Sequence, residues 1–303
     1  MLRSLLLYLS EHESAKKVLT QHLVGRRLAA RFIAGEGVDE ALAVVRRLEG
    51  EGFRVTLDYL GESVQETAQA EAACQVYLNL LDRLAAENLK SHVSIKLTQL
   101  GLAFDEALAR QHLRALAEGA AAHHNFVRVD MEGSAFTEST LRVFRAIDAP
   151  RQVVGVVLQA YLHRTEADVD ELLKYGARIR LVKGAYKEPP DIAFPRKQEV
   201  DQNFLKLMPK LLASGGFHAI ATHDDHLNAA TVQFARQRGI PPDRFEFQLL
   251  HGIRRQLQRD LLKQGWGVRV YVPYGRDWYA YFMRRLAERP ANLLFLLRHL
   301  FRA

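Results

Sequence analysis

"FVRVDM", residues 126–131, is a short run of β-branched and aromatic residues, and helix-patterned sequence follows it. Seven more runs share its rhythm: "FRVTLD" (53–58), "HVSIKL" (92–97), "VVGVVL" (153–158), "RIRLVK" (178–183), "FHAIAT" (217–222), "RFEFQL" (244–249) and "VRVYVP" (268–273). Successive runs begin 24 to 39 residues apart, the room that a strand, a helix and two loops require. Strand–helix alternation implies parallel strands joined by right-handed crossovers. Eight such units point to a closed (β/α)₈ barrel of the TIM type rather than an open sheet. An open doubly wound sheet would carry a glycine-rich dinucleotide turn after a strand. Here the pairs Gly35/Gly37, Gly50/Gly52 and Gly265/Gly267 lack a third glycine, and none follows a strand.

Outside the eight runs, residues 1–50 read as an N-terminal helical segment, and residues 51–303 as the barrel with its C-terminal helices. In "VDEALAVVRRLEGEG", Val38, Leu42, Val45 and Leu48 fall on one face at helical spacing, and Gly50 reads as the stop.

Composition narrows the function classes. The 303 residues are 48% hydrophobic and 25% charged, a globular balance. The net charge of +7 comes from 42 basic and 35 acidic residues, and the basic residues are dispersed in pairs such as 26–27, 46–47 and 254–255. Without a basic tract or zinc-finger spacing, nucleic acid is not expected as a partner. The single cysteine, Cys74, excludes an intrachain disulfide framework and reads as a small buried hydrophobe. The N-terminal apolar run lacks a cleavage site for a signal peptide, and no stretch reaches transmembrane length.

Barrel active sites lie at the C-terminal mouths of the strands. Polar residues gather there: Asp58, Lys96, Asp130, Gln159, Arg180 and Lys183, Thr222 and His223, then Tyr271 and Tyr274. A lysine at the end of an apolar strand either meets an anion or reaches its charge to water, and Lys96 alone leaves both open. Past the eighth run, "WYAYFMRRLAERPAN" (278–292) sets Arg284 and Arg285 on a helix, between Tyr281 and Glu288. Successive helical residues differ by about 100°, so both arginines can approach one site from adjoining faces. Glu288 is within i,i+4 reach of Arg284 and i,i+3 reach of Arg285, placed to orient them. Arginine matches a carboxylate in a planar, bidentate fashion, so Lys96 and the two arginines read as a clamp on a substrate carboxylate.

"ATHDDHLN" (221–228) competes for attention with His223, Asp224, Asp225 and His226, all able to ligate metal. Adjacent side chains in such a loop point apart, so no metal is expected there, and Asp225 reads as a cap on the next helix. "AAHHNF" (121–126) reads as a solvated helix end.

The segment "YVPYGRDWYAYFMRRLAERPAN" resembles the last strand and helix of proline dehydrogenases, the flavin enzymes of proline catabolism. "LDYLGE" (57–62), "SIKLTQLG" (94–101), "VRVDMEGS" (127–134), "LQAYLHRTEAD" (158–168), "RIRLVKGAYKE" (178–188) and "EFQLLHGIR" (246–254) resemble further family segments in the same order. The resemblance runs from about residue 30 to 300 and has the look of the monofunctional form. It implies a distorted barrel holding non-covalent FAD. The enzyme would oxidise L-proline to 1-pyrroline-5-carboxylate by hydride transfer from C5 to the flavin N5, the first step from proline to glutamate. Electrons would then pass to a membrane quinone.

By matching position, the resemblance implies that Lys96, Arg284 and Arg285 bind the proline carboxylate, with Glu288 beside them. Leu250, Tyr271 and Tyr281 would enclose the ring. Asp130 would be the active-site acid, holding an arginine, with Tyr186 beside it in the catalytic set. Met131, Gln159, Arg180, Lys183, Gly184, Ala185, Tyr186, Thr222 and His223 would contact FAD. Cytoplasmic placement with peripheral contact at the inner face of the membrane fits a quinone acceptor, and a homo-oligomer is left open. Two other classes stand against this reading. One is a metal-dependent barrel hydrolase or aldolase built on His223 and its neighbours. The other is a membrane-surface scaffold resting on "LLFLLRHLF" (293–301).

Overall fold

The computed structural model describes residues 29–61, 64–147 and 153–288, with the side chains of 284–288 excepted. The segment 293–301 and most of the N-terminal fifty residues lie outside the described residues. Eight strands form a closed parallel barrel in chain order, β8 pairing back onto β1. They are β1 (Arg54–Tyr59), β2 (His92–Ile95), β3 (Val127–Val129), β4 (Val154–Gln159), β5 (Arg178–Val182), β6 (His218–Ala221), β7 (Phe245–Leu250) and β8 (Val268–Tyr274). Each strand starts within a residue of its expected run, and β1, β4, β7 and β8 end one residue past it. The ladders stop early in β2, β3 and β5, however, so Lys96, Asp130 and Lys183 sit just beyond their strands, in the mouth loops.

Helix α1 (Val38–Gly50) packs against β1 and buries Leu42, Val45 and Leu48 of the apolar face read from the sequence, with Ala41 beside them and Val38 partly buried. Its buried residues share one core with the strands and the ring helices. Those are α2 (Thr67–Ala86), α3 (Glu106–Ala122), α4 (Ser134–Ala146), α5 (Thr165–Lys174), α6 (Lys197–Ala213), α7 (Asp225–Gln237) and α8 (Arg255–Lys263). Helix α9 (Trp278–Glu288) follows β8. Cys74 is buried on α2, where burial pushes its thiol up to about 11.

Strand side chains alternate between faces, so one parity faces the helices and the other the lumen. The helix-facing set is apolar: Val55, Leu57, Val93, Ile95, Val127, Val129, Ile179, Leu181, Phe245, Phe247, Val268 and Val270 all join the main core. The alternate set is polar and charged, and its hydrogen bonds cross the barrel. Arg180 on β5 reaches Ser94 on β2 across the lumen at 3.1 Å, while Arg269 on β8 bonds the Val55 carbonyl of the neighbouring β1 at 2.6 Å. Branched apolar side chains fill most barrels of this kind. Here ion pairs and hydrogen bonds take that place.

Candidate active site

At the C-terminal mouth the lumen opens into a cleft of about 530 Å³. That is within the usual size of small-molecule sites. Lys96, Asp130, Met131, Gln159, Arg180, Lys183, Gly184, Ala185, Tyr186, Thr222, His223, Leu250, Tyr271 and Tyr281 all line it, drawn from seven strand ends and α9. Arg284, Arg285 and Glu288 lie on α9 beyond Tyr281, but their side chains lie outside the described residues.

The floor is one connected polar network. The Lys96 ammonium donates to both oxygens of Asp58, at 3.0 and 3.1 Å, from neighbouring strand ends. Burial pushes Asp58 up, Lys96 pulls it down, and Asp130 pushes it up again, for a net rise. Asp130 accepts from the Arg180 guanidinium at 2.6 Å on one oxygen and from the Tyr271 hydroxyl at 2.8 Å on the other. Arg180 also lies 5.4 Å from the Tyr271 ring centroid. Burial, with Asp130 and Asp58 adding to it, raises Tyr271 well above its ordinary value, so its hydroxyl keeps the proton it donates. Thr56 meets Ser94 at 3.4 Å and extends the network down the lumen. Carboxylates and cations thus alternate around the floor, which fixes each in place.

The walls are set by the loops after β5 and β6. Lys183 bridges Asp201 of α6 at 2.5 Å and Asp224 at 2.8 Å. Asp224 is thereby held well below the usual carboxylate range, against its own burial. Gly184 has φ +112°, and Tyr161 packs where a β-carbon would project. Tyr186 lines the cleft with much of its ring exposed. Glu188 closes the same loop by accepting from the Ser134 amide at 2.7 Å and hydroxyl at 2.5 Å.

The "HDDH" cluster disperses, and its cap is a correction. Asp224, not Asp225, is the N-cap of α7, accepting from the His226 amide at 3.1 Å. Asp225 is the first helical residue and pairs with Arg254. The His223 ring accepts from the Leu250 amide at 3.0 Å. Among the described residues, no group of three or more His, Cys, Asp or Glu could hold a metal, and no helix is long and apolar enough to cross a membrane.

The sequence profile of the proline dehydrogenase family matches residues 41–298, nearly the whole barrel. The chain belongs to the proline dehydrogenase family. It is 41% identical over 296 residues to proline dehydrogenase 2 of Bacillus subtilis strain 168, covering 98% of this chain and 97% of that protein. It is 42% identical to proline dehydrogenase 1 of the same strain, covering 98% of both. The Deinococcus radiodurans proline dehydrogenase is 40% identical over 276 residues, 89% of each chain. Among solved structures, the proline utilization A protein of Bdellovibrio bacteriovorus, inactivated by N-propargylglycine, superposes with a TM-score of 0.81 at 27% identity. That match covers 87% of this chain and 33% of that one.

For this proline dehydrogenase, the sequence reading gave Asp58 no role, although it noted the residue at the mouth. The available signal was parity: Asp58 lies two residues from Thr56 on the lumen face of β1, so its carboxylate had to meet a partner inside. Asp224 and Gln248 also line the cleft and were not assigned to it.

Proposed function

We propose that this enzyme oxidises L-proline to 1-pyrroline-5-carboxylate, with FAD bound in the mouth cleft. The observation carrying this reading is that one cleft joins a floor holding a buried ammonium to an apolar and aromatic wall. Lys96 supplies the cation, while Leu250, Tyr271 and Tyr281 supply the wall. Proline has the same two halves, a carboxylate and a pyrrolidine ring. Arg284 and Arg285, oriented by Glu288, complete the carboxylate clamp in this proposal, with the bidentate geometry arginine favours.

The residues around the cleft fit a flavin. Gln159 is buried, with its amide nitrogen 3.5 Å from the Met131 carbonyl and its amide oxygen unpaired among the described residues. The Arg180 Nε is likewise unpaired among them. Both polar atoms need a partner, and a ring with alternating donors and acceptors offers one. Met131, Lys183, Gly184, Ala185, Tyr186, Thr222 and His223 extend the same lining. FAD, when bound, supplies the two-electron acceptor for the hydride leaving C5; the protein supplies position and electrostatics.

Asp130 spends both oxygens on Arg180 and Tyr271, which supports an orienting role rather than that of a base. Tyr186 lines the same cleft with much of its ring exposed. The proline amine must be neutral to release hydride, so the rate rises with pH through its pKa. We assign the onward electrons to a membrane quinone reached by peripheral contact from the cytoplasmic side, and self-association of the chain is compatible with this role.

The visible spectrum of the purified protein, recorded before and after anaerobic L-proline, tests the reading. Flavin bands that bleach on proline addition are expected. A colourless protein that cannot be loaded with FAD, or a flavin that proline leaves oxidised, would overturn it.

A further inference from the structure

Helix α9 carries Tyr281 to the substrate cleft, yet the main core of the barrel is not what seats it. Among the described residues, every buried side chain of α9 belongs to a second apolar cluster, and none joins the main core. The other buried members of that cluster are Leu60 from the end of β1 and three residues upstream of α1: Ala29, Phe32 and Ile33.

Main-chain contacts hold residues 29–36 in place beside α9. The Ala34 amide donates to the Pro273 carbonyl at 2.9 Å, and the Gly275 amide donates to the Gly35 carbonyl at 3.0 Å. The Trp278 indole donates to Glu36 Oε1 at 3.2 Å, which ties the first residue of α9 to the same segment. On the other flank stands Gly252, with φ +74°, in the loop after β7. A β-carbon added there would lie 1.8 Å from the Arg31 carbonyl oxygen. The segment is thus a brace, fixed to β8 and to the β7 loop, against which α9 leans.

Phe32 is the largest side chain that the brace gives to the cluster. Its ring centroid lies 6.1 Å from that of Phe282, and Phe282 lies 6.0 Å from Trp278. Trp278 and Phe282 are four residues apart and share a face of the helix. Tyr281 is one residue from Phe282, about 100° around the axis, and that edge lines the cleft. Close-packed apolar surfaces transmit displacement, so the volume behind Phe282 sets how far Tyr281 projects.

We propose that Phe32 is a positioning residue that determines substrate ring size: through Phe282 it holds the Tyr281 wall at the spacing of a five-membered ring. The proposal rests on the substrate assigned above. It adds a residue that touches neither substrate nor flavin.

Ring size tests it. The measurement is kcat and KM of the FAD-loaded enzyme for L-proline and for its six-membered homologue, L-pipecolate. A wall that excludes one methylene discriminates by roughly 10–200-fold. Phe32→Ala empties the volume behind Phe282, so it should lower that discrimination by about tenfold. The KM for proline should rise severalfold, with a smaller effect on kcat. Flavin content should stay at the parent level, because the residues proposed to contact FAD lie at the strand ends and not on α9. Phe32→Leu keeps most of the volume and should restore most of the discrimination.

Gly252→Ala leaves Phe32 intact and drives the Arg31 backbone away, so it carries the test should Phe32→Ala fail to fold. It should relax discrimination in the same direction. Gly239→Ala, with φ +62° and open space around its β-carbon, should not, which separates backbone strain from displacement of the brace. In a parent enzyme that oxidises proline, unchanged discrimination in folded Phe32→Ala, or in Gly252→Ala, would overturn the proposal. A fall in flavin content and Tm with discrimination intact would do the same, because the brace would then serve stability alone. A parent enzyme that leaves proline untouched would instead overturn the substrate assignment itself.

Discussion

Lys96 and Asp58 bring opposite charges within 3.0 Å in the floor, where both side chains are largely buried. Removing one partner of such a pair leaves an uncompensated buried charge. Asp58→Asn is therefore expected to lower unfolding free energy by about 3 kcal/mol. It should also lower kcat/KM for proline by roughly tenfold or more, because the Lys96 ammonium loses the group that aims it. Steady-state kinetics with chemical denaturation in parallel would check both, and Lys96→Met/Asp58→Asn should recover part of the lost stability. Unchanged proline kinetics in Asp58→Asn would sink the positioning role. This pair also marks the limit of residue-by-residue reading. Lys96 stood out because a charge at an apolar strand end demands an explanation. Which anion it meets depended on the register of β1 against β2, with Asp58 opposite Ser94, and that is set by packing and not by any local pattern.

At the scale of elements, the eight strands were legible because their helix-facing parity is almost continuously apolar, with His218 of β6 as an exception. The lumen parity was legible only as scattered polar residues; its network depends on side chains reaching across the barrel, as Arg180 does to Ser94. The loop after β5 shows how an element holds the site. The Tyr161 amide bonds the Lys183 carbonyl at 2.8 Å, and the Phe194 amide bonds the Tyr161 carbonyl at 2.8 Å, so residues 183–194 are laced to the end of β4. Gly184 permits this by its positive φ and by leaving space for the Tyr161 ring, whose Cε1 and Cγ would lie 2.5 Å from an added β-carbon. Gly184→Ala should cost about 1–3 kcal/mol through overpacking, with the backbone penalty of a left-handed alanine in addition. Since the same loop carries Lys183, Ala185 and Tyr186, flavin content after gel filtration should fall with Tm. Gly176→Ala is the control, with φ +67° and open space around its β-carbon. Equal losses in the two variants would show that backbone strain alone is at work and that the Tyr161 contact is unimportant.

For the whole molecule, a charged lumen implies a particular response to acid. His218 is buried, its Nδ1 accepting from the Ile179 amide at 3.2 Å while its Nε2 faces the Ser214 hydroxyl at 2.8 Å. Burial, with Arg128 and Arg178 nearby, lowers it to about 4 from its ordinary 6.5. His251 is lowered to about 4 in the same way, by burial and then by Arg255 and Arg47. Between those limits the unfolded chain binds protons that the native state refuses, so stability is complete above pH 6.5 and drains as the pH falls toward 4. Each histidine accounts for about 3 kcal/mol by the lower limit. Glu246 acts in the same direction at lower pH. Its arginine partners hold it well below its ordinary 4.5 despite burial, so its contribution is present above that value and is lost below it. Tm of the FAD-loaded enzyme should therefore be level from pH 8 to 7, decline from about pH 6.5 and steepen below about 4.5. Burial and then Arg269 lower His92 well below its ordinary value too, so His218→Gln, which can keep the contact to Ser214 without a titrating ring, should remove only about a third of the decline between pH 6.5 and 4.5. A Tm that stays level down to pH 4.5 in the parent enzyme would mean that the native fold accommodates these imidazolium ions, and would overturn the acid response argued from their burial.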